Sequence, residues 1–79
     1  MNELTCKTFL QRLGMQAINN HMDYQADTPD AWFRCLGVEI GQVADALGRE
    51  RYEIAAAECI DIAHAAMLLW ATLQPRPKG

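Results

Sequence analysis

No CxxC pair, no run of basic residues and no glycine-rich phosphate loop occurs in this chain. Each absence excludes something. The three cysteines, Cys6, Cys35 and Cys59, are an odd number at wide spacing inside helical patterns, which argues against a disulfide framework and for a reducing cytoplasm. A formal net charge of −3 with no basic tail gives no general attraction to nucleic acid or anionic lipid. The opening segment MNELTCKTFLQRLG has no uninterrupted apolar core, so it does not read as a signal peptide. Ile54 to Leu73 is long enough to span a bilayer, but Glu58, Asp61 and His64 interrupt it, and charges at that depth are costly, so no membrane span is expected.

What is present is helical periodicity. The spacing predicts an all-α domain over residues 1–74, with 75–79 as a flexible tail. A first helix runs from about Glu3 to about Asn20, with Phe9, Leu10, Leu13, Ala17 and Ile18 as its apolar positions. After a polar connector, Thr28 can cap a second helix, Pro29 suits its first position and Asp30 favours the positive end of its dipole. That helix carries Trp32, Leu36, Ile40, Val43 and Leu47 as one expected core stripe and stops at Gly48. A third helix is expected from about Glu50 to Leu73, ended by the two prolines beyond. So short a link between helices two and three predicts an antiparallel pair.

Helix three is apolar nearly all round, with Ile54, Ile60, Ile62, Met67, Leu68, Leu69 and Trp70 pointing in several directions. Two neighbouring helices cannot cover all of these. The expected architecture is therefore a three-helix antiparallel bundle completed by oligomerisation, as a homodimer or homotetramer.

Into this apolar sequence the chain sets two acid or amide pairs three residues apart: Glu39 with Gln42, and Glu58 with Asp61. At about 100° per residue each pair shares one side of its helix. On antiparallel neighbours the two pairs can meet and offer four oxygen ligands to a hard cation, Mg²⁺ or Mn²⁺ rather than zinc. Acids on helices are usually solvated, and one such pair would carry little weight. Two on consecutive helices, each beside an apolar stripe, would repel without a positive group between them.

VEIGQVADAL followed by ECIDIAHAAMLLW resembles the MazG family of all-α nucleoside triphosphate pyrophosphohydrolases, whose signature is EExxE, a gap, then ExxD. The likeness covers about Trp32 to Trp70, with fifteen residues between Gln42 and Glu58. It implies that Glu39, Gln42, Glu58 and Asp61 hold Mg²⁺ against a nucleoside triphosphate, which water cleaves to the monophosphate and pyrophosphate, with Glu39 as the acid that activates the water. Val38 and Gln42 stand where the family has glutamates, so weaker metal binding and slower hydrolysis are expected, or a binding module that keeps the fold without the chemistry.

Other residues invite roles. His64 reads as an interface or surface histidine, His21 as solvated, and Trp32 and Tyr24 as residues that could stack on a base, with packing the better account of Trp32. Ala44, Gly48 and Ile54 match the small residue, turn glycine and aliphatic residue of a helix-turn-helix. Arg49 occupies a position that such a turn fills with an aliphatic side chain, and Glu53, Glu58 and Asp61 on the would-be recognition helix repel phosphates.

Overall fold

The computed structural model describes residues 1–19 and 28–75, and within them the chain forms three helices: α1 (Glu3–Asn19), α2 (Pro29–Gly48) and α3 (Tyr52–Thr72). The connector with His21 and Tyr24, and most of the expected tail, lie outside the described residues.

Local chemistry accounts for the helix ends. The Asn2 side chain accepts from the Thr5 amide at 2.8 Å and caps α1. Thr28, with extended backbone, accepts from the Ala31 amide at 3.3 Å, and Pro29 follows at the first turn of α2. At the other end of α2 the Arg51 amide bonds the Ala46 carbonyl and the Glu50 amide bonds the Leu47 carbonyl. This is a Schellman closure. The helix ends at Gly48 as expected, and the left-handed residue of the closure is Glu50, at φ 57°. The turn consumes Glu50 and Arg51, so α3 begins at Tyr52, two residues later than the periodicity suggests.

α2 and α3 form the hairpin at the centre of the fold, and α1 packs on α3. The small buried side chains Ala46 and Ala55 let the two helices approach closely beside the turn. Farther along, Ile60, Ala65 and Leu68 of α3 are buried, while α1 contributes no fully buried residue. The expected α2 stripe divides. Trp32, Leu36 and Val43 are half-buried, but Ile40 and Leu47 are 56% and 50% exposed. The residues on the hairpin side are instead Trp32, Cys35, Glu39, Val43 and Ala46. Ile40 and Leu47 lie on a neighbouring side of the same helix, which no described element covers.

α3 is long and apolar enough, by length and composition, to cross a membrane. In this fold it is the helix against which both others pack.

Candidate functional site

The antiparallel hairpin brings Gln42 of α2 and Glu58 of α3 to one open groove of about 480 Å³. Val38 and Asp45 line it from α2, and Arg51 and Ile54 from the start of α3. Ala46, buried at the hairpin, lies at its base. Asp45 was not among the residues selected by the motif. Its signal was simple: it is three residues beyond Gln42 and therefore on the same side of α2. Asp45 also accepts from Arg49 Nε at 3.2 Å in an exposed pair one helical turn long, a contact of small energetic worth.

The other two expected ligands are engaged elsewhere. Glu39 Oε1 accepts from the Cys35 thiol at 3.3 Å, one turn earlier on α2, and Glu39 Oε2 is buried without a hydrogen-bond partner. Asp61 Oδ1 accepts from Gln16 Nε2 of α1 at 2.9 Å. The same Gln16 nitrogen lies 3.1 Å from His64 Nδ1. With Nδ1 accepting, the ring proton resides on His64 Nε2, which is buried and has no partner. His64 is thus not a surface histidine: it is 7% exposed and joined to Asp61 through Gln16. Position explains the separation. Glu58 falls toward the α2 side of α3, and Asp61, about 60° farther round, falls toward α1.

Among the described residues no three His, Cys, Asp or Glu side chains gather into a cation cradle. The groove offers two carboxylates, Asp45 and Glu58, with the Gln42 amide. That donor set fits Mg²⁺, which commonly keeps several waters and takes only one or two protein carboxylates beside phosphate oxygens. The three cysteines form no disulfide, with Cys6 and Cys35 half-buried and Cys59 exposed.

No family model, curated protein or solved structure matches this chain. Val38 is 63% exposed in the groove, so an acid there would meet solvent and the Glu58 side, not the core. Ala44 is exposed and Ile54 is 48% exposed. A helix-turn-helix packs both positions inside.

Proposed function

We propose that the chain is a subunit of a MazG-like nucleoside triphosphate pyrophosphohydrolase, dependent on Mg²⁺ or Mn²⁺, with low turnover because its first acidic motif carries one glutamate. The observation that supports this is the shared groove: Gln42 and Glu58, one from each motif, line one cleft between antiparallel helices, with Arg51 also lining it. Bound there, the divalent ion supplies charge neutralisation of the triphosphate. Glu58, Asp45 and the Gln42 carbonyl would hold it, and Arg51 adds a positive charge on the phosphate side. Gln42 contributes no charge, which costs on the order of a few kcal/mol of attraction at an effective dielectric near 20. Glu39 is the acid this reading assigns to the water. It has to leave the Cys35 thiol to reach the groove. A homo-oligomer in a reducing cytoplasm is the proposed setting, and neither nucleic acid nor a membrane is a proposed partner.

A second reading rests on one specific observation: Glu39 and Asp61 are both held away from the groove, by Cys35 and Gln16. The chain is then a nucleotide-binding or interaction module of the same fold without the chemistry. Incubation with a panel of nucleoside triphosphates and Mg²⁺ or Mn²⁺, with pyrophosphate measured, decides. Pyrophosphate release selects the enzyme. Nucleotide binding without release selects the nucleotide-binding module, and neither binding nor release removes the enzyme and that module, leaving the interaction module.

A further inference from the structure

Among the described residues, the side-chain hydrogen bonds between α1 and α3 both come from one amide nitrogen, Gln16 Nε2, which donates to Asp61 Oδ1 at 2.9 Å and to His64 Nδ1 at 3.1 Å. Both protons of that nitrogen are used. Otherwise α1 is lightly attached, since it packs on α3 and not on α2 and buries no residue fully. Its hold on Asp61 is therefore a large part of its docking.

That hold leaves the Asp61 charge uncompensated. Among the described residues the ion pairs are Lys7 with Glu3 and Arg49 with Asp45, and no cation is paired with the half-buried Asp61 or Glu58. A neutral amide gives a carboxylate a hydrogen bond but no counter-charge. A divalent ion gives the counter-charge. Glu58 and Asp61 are three residues apart on α3, so their Cβ atoms stand about 5–6 Å from each other, and one Mg²⁺ at ~2.1 Å from an oxygen of each can bridge them with the helix unchanged. The Gln16 bond prevents this: it keeps the short Asp61 side chain toward α1, outside the set of residues that lines the groove.

We infer that Gln16 is a latch on the candidate metal site: docked α1 holds Asp61 away from Glu58, and release of Gln16 lets Asp61 turn to join Glu58 and Gln42 around the ion. This rests on the metal-dependent reading proposed above. Gln16 touches neither ion nor nucleotide in this scheme and is a positioning residue acting through Asp61. Because the ion and α1 compete for one carboxylate, each weakens the other by the same factor.

Gln16→Met keeps the length of the side chain and removes both donors. Calorimetric titration should show it binding Mn²⁺ about tenfold or more tightly than the parent, the scale of one hydrogen bond to a charged group. A Gln16 that served stability alone would give no such gain. Asp61→Asn should change little in the parent and should abolish the gain in the Gln16→Met background, the non-additivity expected of a shared carboxylate. Should Gln16→Met lose helicity, the unaltered chain still decides. Saturating Mg²⁺ should lower the hydrogen-exchange protection of α1 by about the same tenfold, leave the α2–α3 hairpin protected, and have no such effect in Asp61→Asn. Unchanged or weaker Mn²⁺ binding in a folded Gln16→Met, a gain that survives Asp61→Asn, or α1 protection that stays level or rises with Mg²⁺ would overturn the latch and leave the metal-dependent reading standing. Absence of Mn²⁺ and Mg²⁺ binding in every one of these proteins would overturn both.

Discussion

Gln16 of α1 donates to Asp61 of α3 at 2.9 Å, and this side-chain bond, with the contact of the same amide to His64, joins two helices that share little buried surface. It occupies an acid that the motif assigns to a metal. It also gives the buried imidazole its acceptor role at Nδ1.

Gln16→Ala should therefore loosen α1 more than the loss of one half-buried side chain implies. His64 Nδ1 would be left without its partner in a buried position, a loss of about 1–3 kcal/mol. Thermal unfolding should shift down accordingly, and hydrogen exchange should accelerate in α1 before the α2–α3 hairpin. Equal acceleration throughout would mean that Gln16 does not hold the helix.

The placement of the two acids of α3 separates their roles. Glu58→Gln removes a charge from the groove, whereas Asp61→Asn changes a group bound to α1. Calorimetric titration with Mn²⁺ should show affinity falling about a hundredfold or more in Glu58→Gln, the scale of a few kcal/mol for one charge at an effective dielectric near 20, and changing much less in Asp61→Asn. The reverse order would return Asp61 to the metal and require Gln16 to release it.

Val38 and Gln42 both line the groove, so glutamates at these positions join Glu58 without entering the core. Gln42→Glu alone should tighten divalent-ion binding. Val38→Glu added to it should raise pyrophosphate release above either single variant, a non-additive gain expected of groups acting on one centre. Four inactive proteins that nonetheless bind Mg²⁺ and nucleotide would leave the binding module as the function.

Glu50 occupies the left-handed position of the Schellman turn, at φ 57°, where a side chain costs about 1–2 kcal/mol and glycine does not. Glu50→Gly should raise stability by about 0.5–1 kcal/mol after the added entropy of the unfolded chain is subtracted. The melting temperature should rise with no change in nucleotide or metal binding. A fall would show that the carboxylate contributes more to the turn than its backbone angle costs.

The sequence by itself determined what depends on near neighbours. Thr28, Pro29 and Asp30 begin α2 because a cap, a fixed φ and a dipole act within four residues, and the short link after Gly48 forces α3 back along α2. The antiparallel pairing of Gln42 with Glu58 follows from the same local facts. Tertiary structure decided the rest. Residues 32 to 47 carry two apolar stripes on adjacent sides of one helix, and periodicity cannot say which of them α3 will cover, so Ile40 and Leu47 read as core and are exposed. The link between His64 and Asp61 is not legible in the spacing, because the residue that joins them is 48 and 45 positions away, on a helix whose docking no local pattern encodes. An i, i+3 spacing fixes the angle between two side chains on a helix. Which neighbour each one meets is fixed only when the other helices arrive, and here that sends Glu58 to the groove and Asp61 to α1.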